Sequence, residues 1–408
     1  MSAESTAART GAGGAPDVLV VGAGVMGAWS AFFAQRAGQR TALVDAYGVA
    51  TPRATSGDET RTIRSAHGRD VFHARWARAS RDDWRAFGAE WGEELFIEAG
   101  ALWFARRDDG FEAASEPVLR DLAIPYEHLS PDEVAARWPQ VAPDELAFAL
   151  FEPEAGVIRA RRGVEAVARA FAREGGRFDR AVVRPGASSG DRLIDVVEPD
   201  GSRRSAGSFV FACGPWLPRL FPDVLGSVIR VTKQDVFLLG PPGGDDRFGP
   251  SAMPAWVEYD RAFYGIPSVD GRGFKIAPDR SGPLFDPTAG ERIVDPESLR
   301  LARAFLRTRF PGLAAQPVIE TRVCQYETTP DTQFVIDRHP AWSNVWLVGG
   351  GSGHGFKHGP QIGRYVAARL GGAPAGPDEE RFSIAQPRRP AIGMRAAGDA
   401  AATDSTTY

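Results

Sequence analysis

Along the chain, short runs of apolar and β-branched residues alternate with stretches whose apolar positions recur every three to four residues. Val18 to Val21 is such a run between Pro16 and Gly22, a small-residue helical stretch follows from about Val25 to Ala37, and Thr41 to Val44 is the next apolar run. A strand, turn, helix, strand opening points to a parallel α/β sheet. Phe72, Trp76, Trp84, Phe87 and Trp91 fall at helical spacing, which puts them on one face of an amphipathic helix and predicts core packing. Gly163 to Glu174 reads as a helix and Ser208 to Ala212 as a buried strand. Val345 to Val348 reads as a strand that enters a Gly-rich turn and a helix from about Pro360. From Gly100 to Phe151 and from about Arg219 to Val323 the periodicity shortens and Pro and Gly become denser, as in an antiparallel sheet with connecting loops. The pattern therefore predicts an α/β plus α+β chain of two interleaved domains. One, on the parallel sheet, takes residues 16–99, 152–218 and 324–390; the other, discontinuous and antiparallel, takes 100–151 and 219–323.

Composition narrows the class. A chain of 408 residues that is 43% hydrophobic can bury a large core, and two cysteines exclude a disulfide framework or a cysteine-built zinc fold. The net charge of -4 gives no electrostatic reason to bind nucleic acid or an anionic membrane. Residues 1–15 and 391–408 are small and polar, so they are expected to be a disordered leader and tail, the leader lacking the apolar segment of a signal peptide. No apolar run reaches the roughly 18–20 residues of a membrane span, and a soluble cytoplasmic enzyme is expected. Of 48 basic residues only Lys233, Lys275 and Lys357 are lysines, which marks them as places where a compact ammonium matters.

Two glycine-rich turns carry the first chemistry. Gly22-Ala23-Gly24-Val25-Met26-Gly27 follows a strand and opens a helix, with Asp45 at the end of the next strand. The glycines permit a tight turn and close approach to a pyrophosphate, the helix N-terminus stabilises the anion, and the acid suits ribose hydroxyls. This motif alone does not separate NAD from FAD. At the other end of the chain, Gly349-Gly350-Gly351-Ser352-Gly353-His354-Gly355-Phe356-Lys357 again links a strand to a helix. A second set of backbone N–H groups at the same sheet suits an isoalloxazine ring, which gains negative charge on reduction.

With these turns, the segments SGDETRTIR (Ser56 to Arg64), FVFACGPW (Phe209 to Trp216), YGIPSVDGRGFK (ending at Lys275), CQYETTPDTQFVIDRHP (from Cys324) and GSGHGFK (ending at Lys357) resemble the monomeric sarcosine oxidase and N-methyltryptophan oxidase family. These are FAD-dependent amine oxidases of the D-amino-acid-oxidase-like group, and the resemblance runs from about Asp17 to Pro390. It implies a Rossmann-like FAD-binding domain with an antiparallel-sheet substrate domain. FAD would be held by Gly22, Gly24, Val25, Met26, Gly27, Asp45, Gly351, Gly353, Gly355, Phe356 and Lys357, and joined covalently through the Cys324 sulfur. Cys213, by contrast, reads as packing.

The resemblance also implies that Arg64 and Lys357 grip a substrate carboxylate and that the Gly353 carbonyl accepts from the amine. His354, Tyr264 and Tyr326 would complete the pocket. Lys275, with Thr60 and Arg61 beside it, would sit at flavin N5 and promote reaction with oxygen. One departure stands out: where the sarcosine oxidases carry a histidine four residues after that lysine, this chain has Asp279. The expected activity is oxidation of a secondary amine or amino acid, N-methyl or cyclic, to an imine, with O2 reduced to hydrogen peroxide. The expected partners are a small-molecule amine and O2, and a monomer is expected. Alternatives are a tailoring flavoenzyme acting on a ring amine, a non-oxidase electron-transfer subunit, and a nicotinamide dehydrogenase.

Overall fold

The strand Val18–Val21 lies inside a six-stranded sheet in the computed structural model, which describes residues 14–386 and residue 388. Across the sheet the order is Val335–His339, Trp342–Gly349, Ser208–Phe211, Val18–Val21, Thr41–Asp45 and Arg177–Arg180. All neighbours are parallel except the edge strand Val335–His339, which is antiparallel. Such strands are covered on both faces and so read as continuous apolar runs. Val18 and Val20 pack toward the helices, while Leu19 and Val21 pack with Val183, Leu193 and Val196 on the opposite side.

The helix Val25–Arg36 is apolar all round and buried along most of its length, as a helix in the middle of a core must be. It crosses the helix Gly359–Leu370 closely enough that a Cβ on Gly363 would meet the Trp29 backbone at 2.6 Å. The aromatic stripe lies on the helix Val71–Trp91, with Phe72, Trp84 and Phe87 in the core and Trp76 and Trp91 packed at its edge. That helix starts where the Asp70 side chain accepts from His73 N, and it ends at Gly92 with φ of 66°, standard punctuation at both termini.

The segments read as antiparallel build an eight-stranded sheet. Its order is Val318–Thr328, Arg230–Leu239, Phe274–Pro278, Phe263–Ile266, Ala255–Glu258, Ala101–Ala105, Phe148–Glu152 and Glu127–Leu129. One pairing departs from expectation: Ala255–Glu258 runs parallel to Ala101–Ala105, where the two chain segments of this sheet meet. The same segments also hold helices that the shortened periodicity hides, Phe111–Asp121, Pro131–Arg137 and Pro296–Arg309. The strand Val318–Thr328 is continuous through residues 323 and 324, where a domain boundary is expected. A small sheet of Thr60–Ile63, Gly156–Arg159 and Phe96–Ile97 lies between the larger ones in sequence. Among the described residues no helix is long and apolar enough to cross a membrane. Residues 1–13 of the expected leader (residues 1–15) and the whole expected tail, residues 391–408, lie outside the described residues.

Two glycines of the first turn have no room for a side chain. A Cβ on Gly27 would sit 1.8 Å from the Gly22 carbonyl oxygen, and Gly22, at φ of +107°, is itself backed by Ala212 O at 2.4 Å from its own would-be Cβ. Gly27→Ala is therefore expected to cost about 1–3 kcal/mol, as overpacking does. Urea unfolding of the purified protein measures it, and an unchanged midpoint would contradict this packing.

Candidate active site

The two glycine turns, from opposite ends of the chain, line one cavity of about 430 Å³. In the first, Gly24 caps the helix with no side-chain hydrogen bond, and no acid stands in the first turn, so the positive end of the helix is available to an anion. Asp45 is fixed at the end of its strand: Oδ2 accepts from Ala23 N at 2.8 Å and Oδ1 from Tyr47 N at 2.7 Å and Gly48 N at 2.9 Å. In the second turn, Gly350, Ser352 and Gly353 have φ of 68°, 47° and 73°, a left-handed path that favours glycine. Met26 ties the turns together, its Cε lying 3.5 Å from where a Cβ on Gly351 would be and 2.9 Å from that on Gly355.

Of the cofactor residues anticipated from sequence, Gly22, Gly24, Val25, Met26, Asp45, Cys324, Gly351, Gly353, Gly355, Phe356 and Lys357 line this cavity, while Gly27 packs beneath it. Cys324 Sγ lies 3.7 Å from Arg61 Nη2 and 3.6 Å from Thr55 O. Cys213 also lines the cavity, but its sulfur donates to Val21 O at 3.3 Å and burial pushes its thiol well above the ordinary range.

Arg64, Lys357, His354, Tyr264, Tyr326 and Arg61 are on the wall as well. Arg64 Nη1 donates to Ala66 O at 2.6 Å and its guanidinium lies over the Trp103 ring at 4.9 Å. Lys357 Nζ donates to His354 O at 2.9 Å, and Arg64 and Lys357 are both buried. Tyr326 Oη donates to Asp279 Oδ1 at 2.8 Å, and Asp279 is fully buried. Lys275 and Thr60 do not line the cavity. The Lys275 Nζ donates to Asp58 Oδ2 at 2.6 Å and to the Thr60 carbonyl at 3.1 Å.

Three polar residues escape the sequence reading. Asp58 also accepts from Arg61 Nη1 at 2.9 Å and from Arg322 Nη1 at 3.2 Å. Burial pushes its carboxyl up, but Lys275, Arg61 and Arg322 together hold it well below the usual carboxylate range. Glu327, on the cavity wall next to Tyr326, is buried. Asp58 and Glu327 sit inside the segments SGDETRTIR and CQYETT, and that position is the one signal that could have found them.

Comparison with known proteins decides the family. Residues 17–369 match the model of the FAD-dependent oxidoreductases (DAO). The chain belongs to this family of FAD-dependent oxidoreductases. The protein is 28% identical over 381 residues to monomeric sarcosine oxidase of Arthrobacter sp. (strain TE1826), covering 92% of this chain and 97% of that one. It is 25% identical over 376 residues to N-methyl-L-tryptophan oxidase of Yersinia pestis (strain Pestoides F), covering 91% and 99%. Among solved structures, L-proline dehydrogenase from P. horikoshii superposes with a TM-score of 0.80 at 18% identity, covering 91% of this chain and 97% of that one. Fructosyl peptide oxidase from E. terrenum gives 0.81 at 20%, covering 94% and 95%. These structural likenesses carry the fold: a Rossmann-like FAD-binding part with an antiparallel-rich sheet.

The residues present fit FAD. A helix N-terminus with no acid in its first turn and only the Ser56 hydroxyl on its first N–H, an acid at the end of the adjacent strand and glycine turns too tight for side chains share one cavity with a cysteine sulfur. Within it, burial pushes the Glu327 carboxyl up to about 7 although Gly351 N donates to it, and Oε2 has no hydrogen-bond partner among the described residues. An acid whose folded value lies above its ordinary 4.5 favours folding in its protonated form. That contribution is complete below 4.5 and is lost as pH rises through about 7, up to roughly 3 kcal/mol. Glu327→Gln should therefore match the parent melting temperature near pH 4 and exceed it near pH 8.5. Equal differences at the two pH values would refute the assignment.

Proposed function

We propose that the protein is an FAD-dependent oxidase of a secondary amine or amino acid, N-methyl or cyclic, giving an imine that hydrolyses in water and reducing O2 to hydrogen peroxide. The observation that carries this reading is the pair of buried cations, Arg64 and Lys357, on the wall of the cavity that both glycine turns line. Buried fixed charges of this kind suit a carboxylate. The names of the curated relatives, sarcosine oxidase and N-methyl-L-tryptophan oxidase, favour N-methyl amino acids within that class.

Gly22, Gly24, Val25, Met26 and Asp45 would hold the dinucleotide, and Gly351, Gly353, Gly355, Phe356 and Lys357 the ring end. When bound, FAD supplies a two-electron acceptor for the C–H bond next to the amine nitrogen and passes the electrons to O2. Arg64 orients the substrate, because the Ala66 carbonyl and the Trp103 face fix the plane of its guanidinium. Lys357 adds a point charge held in place by the His354 carbonyl. Both cations also lower the pKa of a bound amine and so favour the neutral form whose lone pair assists C–H cleavage. The Gly353 carbonyl accepts from the amine N–H, and Tyr264, Tyr326 and His354 shape the rest of the pocket. Arg61, on the cavity wall, faces the oxygen-reacting side, with Lys275 and Thr60 set behind it and joined to it through Asp58 and the Thr60 carbonyl. There Lys275 and Arg61 share Asp58, while Arg322 is also paired with Glu59 and Glu320, so two cations face one acid, a balance that would stabilise charge developing on O2. Cys324, next to the Arg61 guanidinium, is the proposed point of covalent attachment.

A peroxide-coupled screen of sarcosine, N-methyl-L-tryptophan, L-proline and fructosyl-glycine tests the activity. At least one should give peroxide at a rate well above that of the same amine without its carboxylate. No peroxide from any of them, or equal rates without the carboxylate, would overturn the reading. Separately, the yellow chromophore should stay with the polypeptide after denaturation in acid, and Cys324→Ser should release it. Complete release from the parent protein would dismiss the covalent link while leaving the oxidase reading intact.

A further inference from the structure

Four of the chain's six histidines gather at one place. His67, His73, His354 and His358 come from two distant segments, yet every pair of their rings lies between 4.8 and 6.0 Å, centroid to centroid. Phe334 packs against three of these rings, so the cluster is lined by aromatic surface. No step proposed above uses His67, His73 or His358.

Their outward hydrogen bonds fix which nitrogens face inward. His67 Nδ1 lies 2.9 Å from the Ser65 carbonyl, His354 Nε2 lies 3.0 Å from the Thr332 carbonyl, and His73 Nδ1 lies 2.8 Å from an Asp70 oxygen. A carbonyl can only accept, as can an ionised carboxylate, so each of these nitrogens carries the proton and the other nitrogen of each ring carries a lone pair. His67 Nε2, His73 Nε2 and both nitrogens of the fully buried His358 have no hydrogen-bond partner among the described residues. The single ring N–H of a neutral His358 can satisfy only one of the inward lone pairs, and a bound cation would satisfy the rest. A ring N–H held from behind by a carbonyl or carboxylate is also the usual support of a metal-bound histidine.

We propose that His67, His354 and His358 form a site for a divalent transition ion of the zinc class. One ring nitrogen from each lies within 4.8 Å of the others. A tetrahedral ion with bonds of about 2.0–2.1 Å needs nitrogens roughly 3.4 Å apart, so the rings draw in by about an ångström or more through side-chain rotation. Three neutral imidazoles suit zinc, nickel or copper over magnesium or calcium, which prefer oxygen. The fourth position goes to an anion or hydroxide, whose charge offsets that of Arg64 and Lys357 nearby. The ion would tie the segment after Arg64 to the turn that carries Lys357, clamping the two proposed carboxylate-binding residues from behind. It does not depend on the oxidase reading.

The test uses the purified full-length flavoprotein, stripped with a chelator and dialysed against zinc, with metal measured by plasma emission. The parent should retain one equivalent per chain and gain a few degrees in melting temperature. His67→Phe and His358→Phe should each lose at least nine-tenths of the metal, and the control His128→Gln/His339→Gln should keep it. Absence of zinc in the parent, or its retention in the two phenylalanine variants, overturns the site. Copper electron paramagnetic resonance on the unmodified chain stands even if those variants fail to fold. Imidazole nitrogen splitting supports the site, and an oxygen-only signal rejects it.

Discussion

A single buried carboxylate ties the small three-stranded sheet to the eight-stranded one. Asp58 precedes the short strand Thr60–Ile63, while its partners Lys275 and Arg322 stand on two strands of the eight-stranded sheet. Arg61, from the same short strand, reaches from this carboxylate toward Cys324 Sγ. Removing one member of a buried ionic group leaves the others uncompensated, at a cost of several kcal/mol. The positions of the proposed flavin-linking sulfur and the proposed oxygen-side ammonium are therefore set together, by one acid.

The glycine turns impose the second constraint, which is steric. Gly22, Gly27 and Gly363 each bring backbone within a distance that no side chain tolerates, and this draws the helix Val25–Arg36 between the sheet and the helix Gly359–Leu370. The cavity is what remains where these elements stop short of closing. Its polar groups are held by backbone partners at known distances, as with Lys357 on the His354 carbonyl and Arg64 on the Ala66 carbonyl. Such a site is preorganised, so little ordering remains to be done when a ligand enters.

Much of this was legible in the chain. Val18 to Val21, the stripe from Phe72 to Trp91, and the two glycine turns announce themselves because each is a local pattern with a local cause. The family motifs also located most of the cavity wall. The parallel pairing of Ala255–Glu258 with Ala101–Ala105 was hidden because alternation reveals a strand and not its neighbour. The helix Pro131–Arg137 did carry a local signal, Ser130 and Glu133 forming a reciprocal cap, but its short span was lost among prolines. Lys275 was noticed for its rarity, whereas Asp58, its partner far away in sequence, was one acid among 52. The histidine cluster was invisible for the same reason: spacing does not encode where the segments around positions 67 and 358 meet in space.

The parallel sheet also has a temporal side. Its central strands come from the beginning, the middle and the far end of the described chain, Val18–Val21, Ser208–Phe211 and Trp342–Gly349. Pairing such remote segments closes very long loops and comes late in folding. A ribosome that has released only the first of the two glycine turns has made half a cradle. Both turns must have left the ribosome before a cofactor could be gripped from both sides, so by topology the proposed FAD site is completed late.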